Sequence, residues 1–369
     1  MVLQYQVKCR IDLGSESPQI HSISFSPNGR YIAAATGDQI RVWSVDSGVE
    51  EYAMPWRNAE ALSVVWTHDT QFLGGFSDGM ILGATFPSQL DEVQQPSHPT
   101  LGGFDPLNMP LLFMTLHPSH SLIAVGTDKM VQIWRPRDSY SILELVKTIP
   151  NPPKSGESAC KVTSVAWMDG ETVIVSYLHH GILTWKIDTP SQLPHSGLPV
   201  QTPVYAGAVS SDGQRFVVFN SNSKSFDVYA TRTGVRLTSL HVTGNIQHRP
   251  AIFIHHDNVI LGTRDATLVL WDSETELEIA TLDTQGNQPT RLAENYNHHT
   301  DIFSIASSTS SGSILVWESC RVDTRPHHDA RSQLPVQETT GPRLWYSSWS
   351  NWLVAYAVVV LSYIVYSRL

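Results

Sequence analysis

The chain has 369 residues, 41% of them hydrophobic, with 11 Trp, 12 Tyr and 11 Phe, enough to pack a large core and too apolar for a disordered chain. Its net charge is −10 and no block of five or more Lys and Arg occurs. No nucleic-acid partner is therefore expected, because that affinity comes from neutralising phosphates. Cys9, Cys160 and Cys320 stand far apart, without CxxC or disulfide-scaffold spacing. MVLQYQVKCRIDLG lacks the apolar run of a secretory leader, so the main body is expected in the reducing cytosol.

Along the chain one pattern recurs: an apolar run, a polar turn, a second run, another turn, and a third run ending near an aromatic residue. After the opening segment Leu3 to Leu13, the clearest copy is IHSISFSPNGRYIAAATGDQIRVWSV, from Ile20 to Val45. Six more follow, and the closing aromatics are Trp43, Phe86, Trp134, Trp185, Tyr229, Trp271 and Trp317. Their spacings are 43, 48, 51, 44, 42 and 46 residues. Short runs rich in Val, Ile, Phe and Ala, bounded by Gly, Asp, Asn and Ser, read as strands. Three strands and a weaker fourth in each repeat fit the blade of a β-propeller. The expected fold is all-β: seven blades over residues 1–318. The seventh copy has only three strands of its own. Leu3 to Leu13 is expected to supply its outer strand and so to hide a pairing edge. That closure would bring Cys9 near Cys320, with both thiols reduced.

Residues Met1 to about Glu318 resemble the WD-repeat family. Trp271-Asp272 keeps the WD dipeptide, whereas Trp43, Trp134, Trp185 and Trp317 keep the Trp alone. The turn Asp before the third strand survives as Asp38, Asp78, Asp128 and Asp265. In the family that Asp joins a His, a Ser or Thr and the Trp in one hydrogen-bonded network. No His partner is identifiable here, so the resemblance implies incomplete networks.

Past Glu318 the character changes. Residues 319–343 are polar, with three prolines and His327-His328, and read as a flexible linker spanning roughly 25–30 Å. Residues 344–369 follow as LWYSSWSNWLVAYAVVVLSYIVYSRL, uncharged from Leu344 to Ser367. The apolar part, Trp352 to Tyr366, includes Leu353, Val354, Val358, Val359, Val360, Leu361, Ile364 and Val365, and Leu353 to Leu361 leave no polar face. With Tyr346 to Asn351 it reaches the ~20 residues a helix needs to cross a bilayer, and Trp and Tyr mark both ends. A single transmembrane helix is expected, so a lipid bilayer is one partner. The alternative is a helix or strand packed on the propeller. The arrangement is that of a tail-anchored, single-pass protein with its propeller in the cytosol. The endoplasmic reticulum is favoured over the outer mitochondrial membrane.

No phosphate-binding loop, nucleophile elbow or HExxH zinc motif occurs, so neither catalysis nor a cofactor is expected. Leu73-Gly74-Gly75 falls in a strand run, where glycines mark close packing or a bulge. Histidines form the one unusual constellation. His68, His117, His255, His256, His298 and His299 fall in turns between first and second strands, on one face of a propeller. Such a set suits metal binding or pH sensing; the commoner alternative is ordinary polar turn residues. Since blade seven ends on its third strand, the chain leaves from that same face, so partners are expected on the opposite one. Pro87 to Pro110 and Pro150 to Ser158 are the longest breaks and candidate recognition elements.

These features imply a non-catalytic scaffold that binds one or more proteins at a cytosol-facing membrane. The alternative is a membrane-bound guanine-nucleotide exchange factor for a small GTPase of the secretory pathway. A propeller with a C-terminal span is similar to the exchange factor of COPII coats, but IDLGSESPQ does not match that family's glycine-rich potassium loop.

Overall fold

The computed structural model describes residues 4–320, apart from 15–18, 57–58, 86–108, 138–139, 141, 153–159, 190–192, 201–202 and 244–248. All lie within one compact unit, Met1–Val322. The linker and the apolar segment 344–369 fall outside the described residues. Among the described residues no helix is long and apolar enough to cross a membrane.

The chain opens with β1 (Gln4–Asp12). Blade one is β2 (Ile20–Phe25), β3 (Tyr31–Thr36), β4 (Gln39–Ser44) and β5 (Glu50–Pro55). Blade two is β6 (Ala61–His68), β7 (Gln71–Phe76) and β8 (Ile81–Thr85). Blade three is β9 (Phe113–Leu116), β10 (Ile123–Gly126), β11 (Val131–Arg137) and β12 (Ile142–Ile149). Blade four is β13 (Val162–Trp167), β14 (Thr172–Tyr177), β15 (Gly181–Lys186) and β16 (Ser196–Leu198). Blade five is β17 (Gly207–Val209), β18 (Arg215–Asn220), β19 (Ser225–Ala230) and β20 (Arg236–His241). Blade six is β21 (Ala251–Ile254), β22 (Val259–Arg264), β23 (Thr267–Asp272) and β24 (Glu278–Asp283). Blade seven is β25 (Pro289–Asn297), β26 (Ile302–Thr309) and β27 (Ser313–Cys320), with β1 as its outer strand.

Each first strand touches those of the neighbouring blades, and β25 touches β2, so the ring closes. The core is distributed rather than central. Seven apolar clusters form among the described residues, each between two consecutive blades. Six of the seven expected aromatics take equivalent ladder positions on third strands: Trp43 opposes Ile32, Trp134 Ile123, Trp185 Val173, Tyr229 Phe216, Trp271 Ile260 and Trp317 Ile305. Each faces the preceding blade. Trp43, for example, packs with Ala306, Ile314 and Val316 of blade seven.

Blade two departs from the expectation. Phe86 lies outside the described residues, and the equivalent ladder position belongs to Ala84, opposite Phe72. The aromatic bulk has moved across the ladder: Phe72 is fully buried and meets Trp66 edge-on, ring centroids 5.4 Å apart. Its neighbours Gly74 and Gly75 are small because space is short. A Cβ on Gly75 would stand 2.5 Å from Ser63 Oγ, and one on Gly74 would overlap Ile40 of blade one.

Closure by β1 follows the expected plan. Its register runs from Gln4 opposite Cys320 to Asp12 opposite Ser313, with an irregularity between Val7 and Cys9. Cys9 opposes Val316, four residues from Cys320 along β27, or roughly 13 Å at strand rise. The expectation that Cys9 lies near Cys320 is therefore corrected, and both thiols are free. Side chains add to the latch: Lys8 bridges Asp46 of blade one at 2.9 Å and Glu318 at 3.3 Å.

Candidate interaction site

The starts of the first strands surround a partly open cavity of about 470 Å³, to which all seven blades contribute. Its wall includes Ile23, Phe113, Met114, Val165 and Leu292, with His21, Lys161, Tyr205 and Arg291 as its ionisable groups. Antiparallel pairing puts these strand starts on the same face as the turns between second and third strands, which hold Asp38, Asp78, Asp128 and Asp265. Arg291 Nε donates to His21 O at 2.5 Å, and its Nη1 to Thr290 O at 2.9 Å. Burial, and then the Arg291 charge, lower the His21 imidazole below its ordinary value, so the ring is neutral at pH 7.

The opposite face carries the turns between first and second strands, with the six singled-out histidines. They do not converge. Among the described residues no three His, Cys, Asp or Glu side chains gather closely enough to hold a metal ion. His68 packs edge-on to His120 and Tyr140. His117 is buried edge-on to Trp167, centroids 4.9 Å apart, with Nδ1 bonded to Ser119 Oγ at 2.7 Å. His255 is buried, bonded to the Tyr5 hydroxyl and packed on Phe303. Its burial, and then His256, hold its pKa down to about 4. His256 and His298 both meet Tyr296 edge-on. His299 is exposed, its backbone N–H donating to Asn297 Oδ1 at 3.0 Å. His255, His256 and Asp257 have φ of 52°, 53° and 67°, a left-handed run that costs energy in non-glycine residues. Asp257 offsets part of that cost by accepting from Ser211 N at 2.8 Å and Ser211 Oγ at 2.7 Å, which ties blade six to blade five. On β25, enclosure of the Glu294 carboxyl, followed by the Asp257 charge, pushes its pKa up to about 7.

The family model for the WD domain, G-beta repeat, matches residues 7–44. That segment begins on the outer strand of blade seven and ends on the third strand of blade one, so the sequence repeat runs out of phase with the blade. The same offset makes β1 a closing strand. The chain is a WD40-repeat β-propeller. No curated protein matches it.

In this WD40 propeller each turn Asp has its own arrangement. Asp38 accepts from Thr36 Oγ1 at 2.7 Å and Arg41 Nη2 at 3.1 Å. Asp78 accepts from Trp56 Nε1 at 2.9 Å, and Asp265 from Arg249 Nη2 at 3.3 Å. Asp128 offers its backbone carbonyl to Val162 N at 2.8 Å. No hydrogen bond joins a His to any of the four among the described residues.

The most enclosed carboxylate among the described residues has only a faint sequence signal. Asp227, fully buried on β19, accepts from Asn220 Nδ2 at 2.9 Å and from Ser225 and Ser239 hydroxyls at 2.7 Å each. Its signal was a lone acid inside the apolar run SFDVY. Arg291 is silent in the sequence, since one cation near the start of a strand carries no motif. The breaks 87–108 and 153–158, and the membrane-anchor residues from Trp352 to Tyr366, lie outside the described residues.

Proposed function

We propose that the protein is a non-catalytic interaction platform, held at a cytosol-facing membrane by residues 344–369. A WD40 propeller is a protein-binding fold, and the observation that carries the platform reading is the cavity shared by all seven blades. Recognition sites favour a concave, mostly apolar wall with a few placed polar groups. The tether rests on the sequence alone: an uncharged stretch from Leu344 to Ser367 with aromatic flanks. Confinement to a surface raises the effective concentration of partners on that surface. The endoplasmic reticulum is the address the reading favours.

Proximity labelling with the full chain and with residues 344–369 removed tests both parts. A platform at a membrane should label membrane-associated neighbours, and truncation should replace them with a diffuse set. An unchanged set after truncation would remove the tether. The absence of any recurrent protein neighbour in either form would remove the platform.

A further inference from the structure

The cavity holds charge that the propeller does not neutralise. Several cations of this acidic chain have a carboxylate: Arg41 has Asp38 and Glu50, Arg137 has Glu144, Arg264 has Glu278, and buried Arg249 has Asp265. Arg291 differs. Both of its acceptors are neutral backbone carbonyls, and a guanidinium carries five N–H donors, so three remain. Among the described residues no carboxylate lies within ion-pair distance of Arg291 or of Lys161. Lys161 lines the same wall; its backbone is held there by its carbonyl, which accepts from Leu178 N at 2.8 Å, and its side chain is exposed. No Asp or Glu lines the cavity among the described residues.

We propose that this cavity receives a glutamate or aspartate side chain from an acidic segment of a partner protein, with the carboxylate on Arg291 and Lys161 adding positive charge to the same wall. The stem of that side chain would lie along Ile23, Phe113, Met114 and Leu292. The proposal rests on the platform reading above and names the chemistry of its partner. Two cations over an apolar wall complement one anionic group on an aliphatic stem. Backbone carbonyls already engage Nε and Nη1, and the remaining donors suit the paired oxygens of a carboxylate. A phosphoryl group, with three oxygens and a second charge, calls for more donors.

The test is panning of random phage-displayed heptapeptides on the full chain. Selected sequences should be enriched in Glu or Asp. One selected peptide, synthesised with its acid and with the matching amide, should lose roughly tenfold or more in affinity on neutralisation, the scale of a charge-assisted hydrogen bond. Lys161→Gln should lower binding of the acidic peptide and leave the amide peptide unaffected; Arg291→Gln should do the same. Arg291 also braces β2, so the exposed Lys161 is the decisive variant if Arg291→Gln misfolds. No acidic enrichment, equal binding of acid and amide, or indifference to Lys161→Gln would overturn the proposal. Replacement of the acid by phosphoserine with a gain above tenfold would overturn it in favour of a phosphopeptide. Recurrent protein neighbours in the labelling experiment, with any of these failures, would leave the platform standing and remove only the acidic side chain.

Discussion

At His255 the imidazole is enclosed by Tyr5 and Phe303, in a turn that is left-handed at three successive residues. Enclosure favours the neutral ring and holds its pKa down to about 4, against about 6.5 in an unfolded chain. The unfolded state then binds more protons, so stability is complete above about pH 6.5 and falls as pH drops toward 4, by about 3 kcal/mol in all. His255→Asn tolerates the left-handed backbone and cannot titrate in that range. Its urea midpoint should change less between pH 7 and pH 4.5 than that of the parent. Equal slopes would contradict this account of the ring. Glu294 works in the opposite direction. Its folded pKa of about 7 lies above the unfolded value near 4.3, so stability is intact below pH 4.3 and lost as pH rises through 7. Glu294→Gln should therefore melt above the parent at pH 8 and level with it at pH 4, as followed by circular dichroism.

Among the elements, β1 has the least local support and the greatest reach. It pairs with β27 over most of its length, sends Tyr5 to blade six and bridges Lys8 to blade one. Removing residues 1–13 should leave β27 as an open edge, lower the thermal midpoint and promote concentration-dependent association visible by light scattering. A truncated chain that stays monomeric with an unchanged midpoint would show that the ring closes without β1. Much of this element plan was legible in the amino-acid order, because six large aromatics recur at one ladder position and because the seventh copy lacked a strand. Blade two departs from that pattern for a physical reason. Packing conserves the bulk of a facing pair, and Phe72 opposite Ala84 supplies there what Ile32 opposite Trp43 supplies in blade one. The cavity was legible only as a face. Its wall draws on segments from seven blades, and no local pattern reveals that Arg291 and Lys161 share it.

On the scale of the whole ring, stability is spread over seven equivalent interfaces, so the place where the chain is cut should matter more to kinetics than to structure. A circular permutant offers a test: join Cys320 to Gln4, which already oppose each other, by a short Gly-Ser linker, and open the chain at Gln288. Blade seven then becomes continuous in sequence and no strand spans the junction between ends. The permutant should keep the parent's far-ultraviolet spectrum but unfold faster in urea. An unfolding rate equal to the parent's would mean that the latch does not limit opening. The latch also has a history in time. About 300 residues separate β1 from β27, and at 5–20 residues per second a ribosome needs roughly 15–60 s to make them. For that interval the earlier strand has no mate. Lys8, Arg10 and Asp12 place charge along it, the composition that discourages an unpaired edge from recruiting a neighbour. The nascent protein thus carries a strand suited to waiting, and its ring becomes complete only when translation has passed Cys320.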